Sequence, residues 1–297
     1  MKVAVTGGTG FLGRYIVRHL VEQGNSCRCW HRPESDRGGF EGCEGKIQWV
    51  LGELTDADSM GELVKGCEAV VHAALFRPGR GFRGAEGDVA TFVERNVVGT
   101  IRLIEASRAA RVKRFVFIST CAVHEVILND RLLDEAHPLW PTSHYGAQKA
   151  AIEKFIHSYG LGEGYEICAL RPTGIYGLTR PITNSKWYDL VQAVKRGEDV
   201  QSAKGGKEVH AADVAKAVGI LLTAEGVAGQ AYNCYDMYIA DEAVARIAKE
   251  LTGSRSHVAV LNKGPKNEID TSRLRAMGMT FGGTALLRQT VADLLRG

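Results

Sequence analysis

The segment Thr6-Gly7-Gly8-Thr9-Gly10-Phe11-Leu12-Gly13 follows a short apolar run at 3–6 and opens a stretch of helical period. Few other features restrict a fold so tightly. The first glycine permits a tight turn and the second lets backbone approach a pyrophosphate. The third allows close helix–strand packing, and the helix N-terminus offers unpaired N–H groups to phosphates. A glycine pattern alone is weak evidence. Here strand, spacing and helix all fall where a phosphate-binding turn needs them. Gly7, Gly10, Phe11, Leu12 and Gly13 are therefore expected to cradle a dinucleotide.

The rest of the first half keeps the same rhythm. Apolar runs at 3–6, 27–31, 47–51, 69–73 and 115–119 read as strands, with helices expected at 11–24, 56–65, 88–110 and 143–160 and a sixth strand at 165–170. Strand–helix alternation predicts a parallel sheet covered on both faces. The expected class is α/β: a Rossmann-type doubly wound parallel sheet over 1–170 and a smaller C-terminal mixed α/β substrate lobe over 171–297. Some elements of that lobe are expected to return to the main sheet. Within it, helices are predicted at 185–196, 211–224, 240–252 and 284–296 and strands at 231–234 and 257–261, while 203–207 reads as a glycine-rich connection.

Composition narrows the function classes. With 297 residues, 45% hydrophobic and 24% charged, the chain can bury a sizeable core, and its formal charge of +3 is too small to argue for nucleic acid or a membrane surface. No apolar run approaches the roughly 18 residues of a membrane span. The start Met1-Lys2-Val3-Ala4-Val5-Thr6 reads as a first strand and not as a leader. Seven cysteines, an odd number without a CxxC pair, and no histidines at zinc-ligand spacing predict reduced thiols, no metal and a cytoplasmic setting.

Two further features point to chemistry. The second strand ends in Trp30-His31-Arg32-Pro33, where a site for NAD would place an acid on the ribose 2′-hydroxyl. Arg32, beside His31, is available to a 2′-phosphate, so NADP is expected to be favoured over NAD. Glu34 and Asp36 come later in the loop. Further on, Tyr145-Gly-Ala-Gln-Lys149 lies at the start of a predicted helix, and residues four apart share one face. An ammonium at 149 favours phenolate, so the Tyr145 pKa is expected to fall toward neutrality.

With these residues in view, the chain resembles the short-chain dehydrogenase/reductase superfamily, in its extended branch of NAD(P)-dependent epimerases and dehydratases. The likeness runs through residues 6–13, Gly52-Glu53-Leu54-Thr55-Asp56, Val71-His72-Ala73-Ala74, Phe117–Val123, Tyr145–Lys149 and Arg171-Pro172-Thr173-Gly174-Ile175-Tyr176-Gly177. Asn96-Val-Val-Gly-Thr100 and the late segment around His210 and Asp213 look like family motifs too. The resemblance implies Thr120 holding the reacting oxygen, Tyr145 as acid/base, Lys149 on the nicotinamide ribose and Asn96 supporting the site. It implies cofactor contacts at Glu53, Leu54, Ala73, Ala74 and Arg77, and at Pro172, Thr173 and Ile175 beside the nicotinamide. Hydride would pass between nicotinamide and a hydroxyl or carbonyl carbon. A homodimer through the helices near 88–110 and 143–160 is implied as well.

The chain departs from its nucleotide-sugar relatives. They usually carry Asn at the position of Gly174, contacting a substrate diphosphate, and Arg at the position of Gly206; Val123-His124-Glu125 replaces Val-Tyr-Gly. Arg77, Arg80 and Arg83 lie among glycines and offer a site for an anionic small-molecule substrate. The expected function is oxidoreductase or epimerase action on a hydroxyl or carbonyl compound, with a sugar derivative as one candidate. A nucleotide-sugar 4-epimerase or dehydratase holding NAD tightly is the alternative among enzymes. A non-catalytic dinucleotide sensor is the alternative of another class, and it has no need of Thr120, Tyr145 and Lys149 together.

Overall fold

A computed structural model of the chain describes residues 1–79, 84 and 86–297. Its strands are β1 (Lys2–Thr6), β2 (Ser26–His31), β3 (Ile47–Leu51), β4 (Ala69–His72), β5 (Arg114–Ile118), β6 (Ile167–Pro172), β7 (Gly174–Tyr176), β8 (Gly205–His210), β9 (Gln230–Cys234) and β10 (Met237–Ala240). Helices α1 (Phe11–Glu22), α2 (Ala57–Val64), α3 (Val89–Val93), α4 (Gly99–Ala109) and α5 (His144–His157) belong to the first half. Helices α6 (Tyr188–Lys195), α7 (Ala211–Thr223), α8 (Asp241–Thr252), α9 (Ser272–Ala276) and α10 (Gly283–Arg296) follow.

Seven strands form one sheet in the order β3-β2-β1-β4-β5-β6-β9, and every neighbouring pair is parallel. Side chains alternate between its faces. Val3 and Val5 of β1 pack with Ile16, Val17 and Leu20 of α1 and with Val214 and Val218 of α7. Ala4 and Val70 face the other way, onto Met60, Leu63, Leu103, Ile104, Ile152 and Ile156 from α2, α4 and α5. Both faces are therefore buried, as a parallel sheet requires. The chain winds outward from β1 in both directions, so the order reverses between β1 and β4. A crevice opens beyond the carboxyl ends of the strands at such a point.

The later part of the chain builds a second, three-stranded sheet, β10-β8-β7, with β8 antiparallel to β10 and parallel to β7. Its buried side chains Tyr176 and Ile239 pack on α6, α8 and α10 through Val191, Val244 and Val291. One element of the later part lies in the main sheet: β9 pairs with β6 over Cys168–Pro172.

Two readings of the second half are corrected. The stretch 257–261 is not a strand; only Val258 forms a bridge, with Val200, and Val260 is 65% exposed with no strand beside it. Of the glycine-rich connection at 203–207, residues 205–207 are instead the start of β8. Its glycines sit there because neighbours fill the space: a Cβ at Gly205 would lie 2.4 Å from the Tyr238 hydroxyl, and one at Gly206 would lie 2.5 Å from Glu208 Oε1. All seven cysteines are free thiols, six of them buried. No described helix is long and apolar enough to cross a membrane, and no cluster of metal-ligating side chains occurs among the described residues.

Candidate active site

The turn after β1 is built by exclusion of side chains. Gly7 has φ +73°, and a Cβ there would press within 2.8 Å of the Ala74 amide nitrogen. A Cβ at Gly13 would lie 2.0 Å from the Gly7 carbonyl oxygen, so only glycine lets α1 rest this close to the turn. Gly10 precedes α1 without any side-chain cap, leaving the first N–H groups of a 12-residue helix facing the crevice. This bare cradle fits a dinucleotide pyrophosphate.

A cleft of about 980 Å³ runs from that cradle across the sheet edge. Gly7, Gly10, Phe11, Leu12, Gly13, His31, Arg32, Glu53, Leu54, Ala73, Ala74, Arg77, Thr120, Tyr145, Lys149, Pro172, Thr173 and Ile175 all line it. The glycine turn and the tyrosine–lysine helix, 132 residues apart between Gly13 and Tyr145, thus share one cavity. Asn96 is the exception. It is buried in a π turn, Glu94–Val98, between α3 and α4, and does not reach the cleft. Its amide accepts from the Phe76 N–H at 2.8 Å and donates to the Phe76 carbonyl at 2.9 Å, holding the loop that carries Arg77. Arg80 and Arg83 lie outside the described residues.

At the far end Thr120 hydrogen-bonds the Tyr145 phenol. Its neighbour Ser119 is committed elsewhere, donating to Glu153 in the interior. The expected fall in the Tyr145 pKa is not what the geometry gives. Burial pushes the phenol up, opposed by the Thr120 hydrogen bond and the Arg77 guanidinium. Lys149 does not contribute to lowering it, because its Nζ donates to the Ile118 carbonyl at 2.7 Å and lies 4.4 Å from the centre of the Phe117 ring. Burial brings the Lys149 pKa down to about 7, with the Glu153 charge opposing.

Several supporting groups escape a reading of the sequence. Glu153, one turn after Lys149, has no exposed surface and accepts from Arg171 Nε with both oxygens at 3.0 Å. Its spacing of four from Lys149 is the available signal. Arg171 also donates to His124 Nε2 at 3.1 Å, while His124 Nδ1 lies 3.2 Å from the Pro138 carbonyl. Burial and Arg171 bring the His124 pKa to about 4, so that ring is neutral at pH 7. His137 is likewise tied to backbone, at Leu128 and Pro138. Glu125 accepts from the Ser143 N–H at 2.8 Å and from the Thr142 backbone, fixing the start of α5 just ahead of Tyr145.

At the other end of the cleft no carboxylate closes β2. Arg32, His31 and Ser35 line the wall there. Glu34 pairs with Arg32 at 3.0 Å, and Asp36 is taken up by Arg14 at 3.1 Å and Arg180 at 2.8 Å.

Comparison with known proteins decides the class. Residues 3–234 match the NAD dependent epimerase/dehydratase family. The chain belongs to that family. Among its relatives is the 4-hydroxy-2-methyl-3-oxo-4-farnesyl-3,4-dihydroquinoline-1-oxide ketoreductase of Stigmatella aurantiaca, 32% identical over 242 residues, 78% of this chain and 67% of that protein. The UDP-glucose 4-epimerase of Streptomyces lividans is 31% identical over 61% of this chain and 54% of its own length. The 3-beta-hydroxysteroid dehydrogenase of Mycolicibacterium neoaurum is 29% identical over 59% and 48%. The chain thus spans about half the length of the last two. In fold it matches a UDP-glucose 4-epimerase of Thermus thermophilus solved with NAD, with TM-score 0.78, 24% identity and coverage of 100% and 99% of the two chains.

Within this family the departures at Gly174 and Gly206 take on a physical meaning. Both flank Glu208: a Cβ at Gly174 would meet Glu208 Oε2 at 2.6 Å. Glu208 is buried, its Oε1 accepts from Lys186, and its Oε2 has no hydrogen-bond partner among the described residues. A buried carboxylate occupies the ground between the two glycines.

Lys149 gives a direct electrostatic test. Native Lys149 releases its proton near pH 7, whereas an unfolded lysine holds it to about 10.4. Between those values the unfolded chain binds the extra proton, so stability rises with pH. The expected slope from this group is on the order of 1 kcal/mol per pH unit over about pH 7.0–8.5. Urea unfolding of the cofactor-free protein should show wild type gaining on Lys149→Met across that range; parallel curves would contradict a buried, deprotonating lysine.

Proposed function

We propose that the chain is an NAD(P)-dependent oxidoreductase acting on a secondary alcohol or its ketone. The observation that carries this reading is the single cleft shared by the capless glycine turn and the Thr120–Tyr145 pair. A nicotinamide dinucleotide bound there supplies the hydride donor or acceptor. The chain's own residues do the rest. The Thr120 hydroxyl holds the reacting oxygen against Tyr145, whose phenol gives a proton to that oxygen during reduction and takes it back during oxidation. Lys149, held by the Ile118 carbonyl, titrates near pH 7 and in this reading bonds the cofactor ribose. Asn96 acts through the Phe76 backbone as a positioning residue.

General acid–base catalysis contributes about 10²–10⁴-fold. Tyr145→Phe should therefore lower kcat by at least about 100-fold while leaving cofactor affinity within about threefold, as read by stopped-flow absorbance and fluorescence titration. A variant as active as wild type would support the sensor reading in its place.

For the cofactor we infer a preference for NADP over NAD. Support comes from the β2 terminus, where Arg32, His31 and Ser35 line the cleft and the acids of the same loop, Glu34 and Asp36, are already paired with arginines. NADPH is expected to bind at least tenfold tighter than NADH, a gap of about 1.4 kcal/mol, and Arg32→Ala should narrow it. Equal or tighter NADH binding in the same titration counts against the assignment, and relatives solved with NAD make that comparison necessary.

A homodimer is proposed through the stretch from α3 to α4 and through α5. Apolar side chains on the outside of this region support it: Val89, Val93, Phe155 and Leu161 are exposed by 39–65%. Sedimentation velocity should give a species of twice 32.2 kDa that Phe155→Glu converts to monomer; a wild-type monomer at micromolar concentration refutes the interface.

A further inference from the structure

We propose that the substrate end of the cleft is built for an apolar carbonyl compound, an alicyclic or aromatic ketone or its alcohol, and not for a phosphorylated or nucleotide-linked one. The inference rests on the reading of Thr120 and Tyr145 as the reacting end and concerns what the rest of the cavity accepts. Beyond Thr120 the wall includes the apolar side chains of Cys121, Ile127, Leu133 and Ile269. These four pack into one cluster with Tyr235, separate from the main cores. They come from distant parts of the chain, joined by a bridge between Leu133 and Ile269 and by the Asp270 N–H donating to the Leu133 carbonyl at 3.0 Å. The surface is thus constructed. Cys121 adds to its apolar character, since the thiol donates to the Arg171 carbonyl at 2.9 Å and burial pushes its pKa to about 12.

Two charged groups near this wall are already bonded. The Glu125 carboxylate is held by Thr142 and Ser143, and Lys207 donates to the Asn267 carbonyl. One unpartnered group behind the wall has the wrong sign for a phosphate. Glu208 Oε2, unpartnered and buried, stands directly behind Gly174 on the cleft wall. An anion approaching Gly174 would meet a carboxylate, with Lys186 already bound to its other oxygen. An alkyl or aryl ketone meets no such opposition and gains by covering the wall.

The test uses 4-methyl-, 4-propyl- and 4-pentylcyclohexanone with the wild-type protein saturated with oxidised cofactor, which binds these ketones without reducing them. Each added methylene should tighten the calorimetric Kd by about fourfold, the equivalent of about 0.8 kcal/mol. Ile127→Ser should flatten the series, and UDP-glucose should bind more weakly than the pentyl ketone. A Kd constant along the series, or UDP-glucose binding tighter than any ketone, overturns the inference. Failure of the hydride-transfer reading looks different: the slope persists in Kd, yet no ketone oxidises NADPH or NADH.

Discussion

Glu153 has no contact with solvent, and groups from three elements converge on its carboxylate. Ser119 reaches it from the end of β5, Arg171 from β6, and Lys149 stands one turn before it on α5. An isolated charge in that position would be very unfavourable. It persists because Arg171 covers both oxygens and Ser119 adds another donor. Arg171 then extends the same set of bonds to His124 and to the Glu135 carbonyl, tying down the segment between β5 and α5. Buried ion pairs add little net stability compared with apolar packing, but removing one partner costs about 3–5 kcal/mol. Its effect here is placement: Thr120, Lys149 and the wall after Cys121 all hang from elements that Glu153 holds together.

A second buried chain does the same at the crevice between β1 and β4. Thr6 Oγ1 meets His72 Nδ1 at 2.6 Å, His72 Nε2 meets Thr100 Oγ1 at 2.8 Å, and Thr100 donates to the Asn96 carbonyl. The Ala74 N–H closes the other end on Thr6 Oγ1 at 3.1 Å. Because Thr100 donates onward, His72 must donate from Nε2 and accept at Nδ1, so the bonds run in one direction. Burial keeps the ring neutral, with its pKa brought down to about 3. The floor formed by Ala73 and Ala74, against which Gly7 packs, and the π turn bearing Asn96 are thereby locked to one another.

Features legible in the sequence are those set by local chemistry. Gly7, Gly10 and Gly13 are dictated by backbone clearance, and the Tyr145–Lys149 spacing by helical pitch, so both are readable without coordinates. The central strands, uniformly apolar, are readable for the same reason. What escapes depends on distant partners. β8 reads as a connection because Gly205 and Gly206 disfavour a strand, yet they are required by Tyr238 and Glu208. The stretch 257–261 has strand-like residues but meets a neighbour only at Val200, too little for a strand. Helical spacing alone aims Lys149 at Tyr145; its ammonium instead finds the Ile118 carbonyl and the Phe117 ring, contacts that exist only once β5 and α5 are packed.

The path of β6 has a consequence for how such a chain can diversify. This strand runs through Ile167–Pro172, bonded to β5 over its first residues and to β9 over its last, and Thr173 and Ile175 on the cleft wall follow at once. The first and second halves of the chain therefore share a sheet and are not beads on a linker. A chimera joined near residue 171 would exchange β9, which bonds to β6, and α7, which packs with α1. Replacing individual wall residues leaves this sheet intact, whereas trading the whole second half changes one of its strands.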